Sequence, residues 1–195
     1  MSKPRIGVYV CQCGSNIAAT VDTQAVARFA EGLDDVVLAR VNKYTCSDPG
    51  QASIRRDIAE YKLDRVVVAA CTPRMHEPTF RRCIQAAGLN PYYLEIANIR
   101  EQASWVHPAG EATTNKAMDL VAGAVERVRL HQALTARKTS IEPAALVVGG
   151  GIAGIQAALD IAESGYRVYL VEREPTIGGK MAQINKTFPT LDCAT

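Results

Sequence analysis

The sequence predicts an α/β protein in two parts: an N-terminal three-layer domain with a parallel sheet, then the start of a Rossmann-type fold. Three observations carry this. Short apolar runs at residues 5–11, 36–41 and 65–70 alternate with segments of helical period, the pattern of βαβ units. A Val-rich run at 145–148 enters Gly149-Gly150-Gly151-Ile152-Ala153-Gly154, where glycines stand at G-x-G-x-x-G spacing before a helical pattern. A further strand, Arg167-Val168-Tyr169-Leu170-Val171, ends on the acid Glu172.

In chain order, residues 5–11 lead into Cys11-Gln12-Cys13-Gly14. Asp22 is placed to cap a helix reaching residue 33, with Val26, Phe29 and Ala30 on its inner face. The second strand, 36–41, is followed by Tyr44-Thr45-Cys46-Ser47-Asp48-Pro49-Gly50. Ser47 or Asp48 can cap the next helix, with Pro49 in its first turn and Ile54, Ile58 and Tyr61 on one face. The third strand, 65–70, is the most apolar, so it should be central; it ends on Cys71-Thr72-Pro73-Arg74. A helix over 77–87 closes on Gly88. Residues 92–97 read as a fourth strand and 98–105 as a short helix. A long helix over 111–134 puts Leu120, Val121, Ala124, Val125 and Val128 inside, with Arg127, Arg129 and His131 toward its negative end. The expected domains are therefore 1–134, a linker at 135–143 holding Lys138, Ser140 and Pro143, and 144–195.

In the second part, Gly149 allows a tight turn and Gly151 lets backbone amides approach a pyrophosphate. Gly154 lets the helix press on the strand, so that the helix N-terminus faces the anion, with Gly150, Ile152 and Ala153 completing the turn. Glu172 lies at the ~20-residue distance of an acid that binds a ribose hydroxyl, and Arg173 follows it. The plain alternative is a structural glycine turn; strand, helix, strand and terminal acid together disfavour it. Beyond the acid, Pro175-Thr176-Ile177-Gly178-Gly179-Lys180 adds a second glycine pair able to pass the same dinucleotide. This layout resembles the FAD-binding opening of two-dinucleotide-fold flavoproteins of the thioredoxin reductase type. The resemblance favours FAD over NAD, with Gly178, Gly179 and Lys180 joining the cofactor contacts.

Six cysteines occur: Cys11, Cys13, Cys46, Cys71, Cys83 and Cys193. Cys11 and Cys13 follow the first strand, Cys46 the second and Cys71 the third. Parallel strands bring these ends to one edge, where open α/β sheets bind ligands. Four thiolates there suit zinc or an iron–sulfur cluster. The chain lacks the paired C-x-x-C spacing usual for zinc, and a neighbouring flavin favours an electron carrier, so [4Fe–4S] is preferred. Ordinary burial of small thiols suits Cys83, mid-helix between Arg82 and Ile84, and suits the other four poorly. His76-Glu77 could suggest a metal ligand or a base but more simply open the helix after Pro73. His107 and His131 have no partner visible in the sequence, Arg55-Arg56 and Arg81-Arg82 read as solvated helix faces, and no catalytic base stands out.

A net charge of +2 over 195 residues gives no reason to expect nucleic acid or a charged membrane surface. No apolar run approaches the ~18 residues of a membrane span. Met1-Ser2-Lys3-Pro4-Arg5 lacks the pattern of a signal peptide, so the expected compartment is cytoplasmic, where thiols serve metals or redox chemistry.

Val8-Tyr9-Val10-Cys11-Gln12-Cys13-Gly14 resembles the N-terminus of the heterodisulfide reductase A subunit family. So do Tyr44-Thr45-Cys46-Ser47-Asp48-Pro49-Gly50-Gln51, Val68-Ala69-Ala70-Cys71-Thr72-Pro73-Arg74, Leu89-Asn90-Pro91-Tyr92, Ala97-Asn98-Ile99-Arg100-Glu101, Ser104-Trp105-Val106-His107 and Lys186-Thr187-Phe188-Pro189-Thr190-Leu191-Asp192-Cys193. The resemblance implies an iron–sulfur flavoprotein component of an anaerobe, methanogenic or related. FAD would split electron pairs from a hydrogenase or formate dehydrogenase module, sending one electron to a disulfide through the B and C subunits of heterodisulfide reductase and the other to ferredoxin. Members of that family are longer, and follow the motif at Leu191-Asp192-Cys193 with a second cysteine and further cluster motifs. The expectation is therefore an N-terminal fragment ending at Thr195, with Cys193 a metal ligand parted from its C-x-x-C partner, a half-built FAD site and no activity alone. Two other readings remain open: a non-catalytic docking module with a structural metal, and a nicotinamide-dependent dehydrogenase.

Overall fold

Residues 6–11 are all buried, which a strand achieves only when both faces of its sheet are covered. In the computed structural model, which describes residues 3–193, this strand, β1 (Ile6–Cys11), lies inside a four-stranded parallel sheet. Met1, Ser2, Ala194 and Thr195 lie outside the described residues, and with them the start of the segment read for a leader and the last residue of the chain. Strand order is β2 (Val36–Asn42), β1, β3 (Arg65–Ala70), β4 (Leu94–Asn98). Val8 pairs with Ala39 on one side and Val67 on the other, and Val68 pairs with Ile96.

Two short helical pieces, α1 (Ser15–Ala18) and α2 (Thr23–Glu31), follow β1. Asp22 caps α2, its Oδ1 accepting from the amides of Gln24 and Ala25 at 3.0 and 2.9 Å. Helix α3 (Asp48–Glu60) starts on Ser47, whose Oγ accepts from Gly50 at 3.3 Å. Helix α4 (Pro73–Ala86) and the long α5 (Glu111–Arg129) complete the layers. Helices α2 and α5 pack together over one face of the sheet, and α3 with α4 over the other. The core is Ile6, Val8, Val10, Val66, Val67 and Val68 between Val26, Val121 and Val125 above and Ile54, Ile58 and Ile84 below. A charged group is sealed in with it. Asp57 is fully buried, 2.9 Å from Arg40 Nε, and accepts from the Tyr9 hydroxyl at 3.4 Å. Burial, then the Asp57 charge, raise the Tyr9 phenol well above its usual range.

Several predicted bounds move. The helix expected from residue 77 begins at Pro73, because a proline at the first helical position loses no hydrogen bond and Thr72 caps it, its Oγ1 accepting from Arg74. The helix expected to residue 134 stops at Arg129, and Leu130 turns into solvent. Phe29, expected inside, is 37% exposed. Leu120 is only half-buried. The short helix expected at 98–105 is a π-helical turn, Arg100–Ser104, and the fourth strand runs 94–98 rather than 92–97.

The chain divides into two units between Thr135 and Ala136, and residues 131–143 carry no helix or strand. In the second unit β5 (Ala144–Val148) pairs in parallel with β6 (Arg167–Val171), Leu146 opposite Tyr169, and α6 (Ile152–Glu163) makes the crossover. A single 3₁₀ turn, Met181–Gln183, follows. Among the described residues no helix is long and apolar enough to cross a membrane.

Candidate functional site

The strand order 2-1-3-4 reverses direction between β1 and β3, and in open parallel sheets of this kind the carboxyl ends at that point form the ligand crevice. Cys11 is the last residue of β1, Cys13 begins the turn beyond it, and Cys71 directly follows β3. Cys46 lies past β2 in a loop that folds back on β1: the amide of Thr45 donates to Cys11 Sγ at 3.4 Å. The loop is fixed from behind, because a Cβ on Gly50 would stand 2.4 Å from the Tyr44 carbonyl oxygen, and Gln51 Nε2 donates to the Cys46 carbonyl at 2.8 Å. Cys13 sits at φ 49° and Gly14 at φ 59°, which swings the chain over the strand end; a Cβ at Gly14 would lie 3.1 Å from the Tyr44 hydroxyl.

These thiols sense one another. Burial, then the charge of Cys11, push the Cys46 thiol up. Burial pushes Cys71 up to about 11 against the pull of Arg100, and Cys13 adds to the rise. For Cys46 and Cys71, burial and the neighbouring thiols outweigh the Arg100 charge and favour the protonated form; a bound metal centre would reverse that. Three polar atoms here are buried without a hydrogen-bond partner: Asn42 Nδ2 beside Cys11 in the β1–β2 register, Thr45 Oγ1, and Glu101 Oε2. Such orphans are costly unless a further group meets them. Among the described residues, no group of three or more His, Cys, Asp or Glu side chains is placed to hold a metal ion, so the four sulfurs share an edge without closing on one point.

Sequence reasoning missed the fourth strand's contribution. Beyond β4, Arg100 points Nη1 at Cys13 Sγ, 3.9 Å away, while Nε and Nη2 donate to Glu101 Oε1 at 3.2 and 2.8 Å. The Trp105 ring lies 4.4 Å from the guanidinium carbon, and Asn98 Oδ1 accepts from the Glu101 amide at 3.0 Å. The available signal was position: an Arg-Glu pair immediately past a fourth strand end.

Cys83 is placed elsewhere. It is buried on α4, donates to the Gln51 carbonyl at 3.4 Å and has Arg55 Nη1 at 4.0 Å. Cys193 belongs to the second unit, where it is exposed and forms an antiparallel bridge with Lys186. His131 has partners that the sequence did not suggest: its Nδ1 lies 3.0 Å from the Tyr92 carbonyl and its Nε2 3.2 Å from Glu95.

The second unit gathers the glycine motif. Gly149, at φ 106°, hands the chain from β5 to α6, its amide donating to the Val171 carbonyl at 2.7 Å. A Cβ on Gly154 would stand 1.8 Å from the Gly149 carbonyl oxygen, which is the close helix–strand approach this position demands. At Gly151 a Cβ would meet nothing within 4 Å, so the space before the helix N-terminus is open. The second glycine pair closes over it: Gly178 donates to the Gly150 carbonyl at 2.6 Å, and a Cβ on Gly179 would lie 3.0 Å from Gly151 Cα. Gly149, Gly151, Ile152, Ala153, Gly154, Gly178 and Lys180 thus line one recess with Val148 and Met181. Glu172 faces the turn, its Oε2 accepting from Gly150 at 2.6 Å and its Oε1 from Glu174 at 2.9 Å. These amides, Glu174 first, hold its carboxyl below the usual range, and each oxygen keeps a lone pair for a hydroxyl. Arg173 is turned outward onto Glu174 at 3.2 Å.

A family model described as FAD dependent oxidoreductase matches residues 145–188, the stretch that holds this recess. Over 193 residues the chain is 61% identical to the second iron–sulfur A subunit of CoB–CoM heterodisulfide reductase from Methanopyrus kandleri, covering 98% of this chain and 29% of that protein. It is 57% identical to the A subunit of the H(2):CoB-CoM heterodisulfide,ferredoxin reductase of Methanothermobacter marburgensis, covering 100% of this chain and 30% of the relative. It is 51% identical to the A subunit of the H(2)/formate:CoB-CoM heterodisulfide,ferredoxin reductase of Methanococcus maripaludis, again over 100% and 30%. The likeness runs through both units, and the chain spans about 30% of the length of these relatives.

Proposed function

We propose that this chain, a relative of the heterodisulfide reductase A subunits, is the N-terminal part of an oxidoreductase component that carries electrons through FAD and a [4Fe–4S] cluster. Gly149, Gly150, Gly151, Ile152, Ala153, Gly154, Glu172, Gly178, Gly179 and Lys180 hold the dinucleotide, with Arg173 at its margin. The turn and helix N-terminus take the pyrophosphate, and Glu172 takes a ribose hydroxyl. When bound, FAD supplies the exchange between paired and single electrons; the chain binds it and excludes water along the glycine loops.

Cys11, Cys13, Cys46 and Cys71 ligate the cluster. The observation that carries this is the delivery of four thiols, from three strand ends, to the ligand edge of one sheet. A single zinc ion binds sulfur at about 2.3 Å and needs its ligands gathered round one point. A four-iron cluster takes each thiolate on a different iron, and the chain lacks the paired C-x-x-C spacing usual for zinc. Cys193 ligates a separate centre in the second unit. The relatives' names, which print heterodisulfide, ferredoxin and hydrogen or formate, support a heterodisulfide reductase assembly. In this reading its B and C subunits, a hydrogenase or formate dehydrogenase module supplying electron pairs, and ferredoxin as a second acceptor are the partners. The electron pairs are bifurcated between the disulfide and ferredoxin.

Anaerobic preparation of the full-length protein, with iron, sulfide and flavin counted per chain, tests this. Serine at Cys11, Cys13, Cys46 or Cys71 should each remove the same four irons, and Cys83→Ser should remove none. Full iron in Cys46→Ser or Cys71→Ser protein, or zinc in place of iron, would overturn the assignment.

A further inference from the structure

We propose that Arg100 is a positioning residue of the four-cysteine edge that raises the reduction potential of the centre held there; the proposal rests on the cluster reading above. Its geometry is specific. The π-helical turn after β4 brings the guanidinium to the edge that collects Cys11, Cys13, Cys46 and Cys71. π-helical turns are rare and concentrate at functional sites. Nη1 reaches Cys13 Sγ across 87 residues of sequence.

A purely structural role explains little of this. The ion partner of Arg100 is its neighbour Glu101, at 2.8 Å, and a pair of adjacent residues ties no two elements together. The pair serves instead to aim the fork. Glu101 takes Nε and Nη2, Trp105 covers the guanidinium plane, and the Nη1 edge is left for sulfur. Only 17% of the arginine side chain is exposed, so water screens the charge weakly. One-electron reduction adds a negative charge to a cluster, and hydrogen bonds and cations near its sulfurs favour the reduced form.

The test is a redox titration of the full-length protein, followed by electron paramagnetic resonance. The relevant signal is the one that Cys46→Ser abolishes. Arg100→Gln should keep its iron and shift this signal to lower potential. The expected size is about a tenfold change in the reduced-to-oxidised ratio at a fixed poise, about 59 mV for one electron. Arg100→Lys should recover part of the shift. An unchanged midpoint in iron-replete Arg100→Gln protein overturns the proposal. Should that variant lose iron, Arg100→Lys and Trp105→Ala keep the charge but loosen its aim; both must titrate below wild type, and wild-type midpoints in both overturn it. Absence of any Cys46-dependent signal from the wild-type protein is a failure of the cluster reading instead.

Discussion

Two glycines of one motif should fail in opposite ways when each is changed to alanine. At Gly151 the backbone is ordinary extended chain, φ −75° and ψ −179°, and a Cβ meets nothing within 4 Å. Gly151→Ala should therefore leave the flavin-free protein unharmed, or stabilise it by up to about 1 kcal/mol by restricting the unfolded chain. At Gly154 the new methyl would stand 1.8 Å from the Gly149 carbonyl oxygen. That obstacle is backbone and cannot rotate away, so α6 must shift off β5 at a cost at or above the usual overpacking range of about 1–3 kcal/mol. With FAD the order changes. A ligand present at about 100 times its Kd stabilises the wild type by roughly 2.7 kcal/mol. Gly151→Ala should lose most of that gain, because its methyl occupies the space the pyrophosphate needs. Thermal melts of full-length protein, stripped of flavin and then resupplied, separate the two effects. A Gly151→Ala protein that keeps the wild-type gain refutes the dinucleotide site. A flavin-free Gly154→Ala protein as stable as wild type refutes the close helix–strand contact.

Three further outcomes are expected. Glu172→Gln should lower bound flavin, and because its carboxyl is held below the usual range, wild-type retention should stay flat from neutral pH down to about 4.3 and be lost only below it; a midpoint above that value contradicts the assignment. Asp57→Ala leaves the Tyr9 hydroxyl buried without an acceptor while the partly exposed Arg40 can turn to water, so denaturant unfolding should show a loss of about 1–3 kcal/mol; no loss would mean the buried carboxylate is replaceable. The raised Tyr9 phenol gives stability that is whole below the unfolded value of about 10 and falls as pH rises beyond it, since the unfolded chain ionises first; Tyr9→Phe should flatten that alkaline decline, and an equally steep decline excludes Tyr9 as its source.

The sequence was most legible where one residue type performs one physical task. Asp22 and Ser47 announced their helices as caps, and the valines of 66–68 announced a strand covered on both faces. Cys11, Cys13, Cys46 and Cys71 announced an edge, because the ends of parallel strands are forced together. What stayed hidden depended on tertiary packing. Pro73 reads equally well as a loop residue or a first helical residue until Thr72 is seen capping it. A π-helical turn has no residue signature, so Arg100 stood out only as part of the family-matching stretch 97–101 and not as a neighbour of the cysteines. Phe29 fits the inner stripe of its helix by spacing, yet α2 buries Val26, Ala27 and Ala30 and leaves the ring at the rim.

The placement of β1 between β2 and β3 governs when the cysteine edge can come into being. As the chain leaves the ribosome, the first two strands can pair and present Cys11, Cys13 and Cys46, all on one side of the later seam. Cys71 arrives only after α3 has crossed and β3 has docked against the opposite flank of β1. No contiguous stretch of nascent chain resembles a metal knuckle that could capture iron early. A cluster held at this edge, as proposed above, would be loaded onto an already folded sheet rather than onto a peptide. Until β3 docks against β1, three thiols stand together with no fourth.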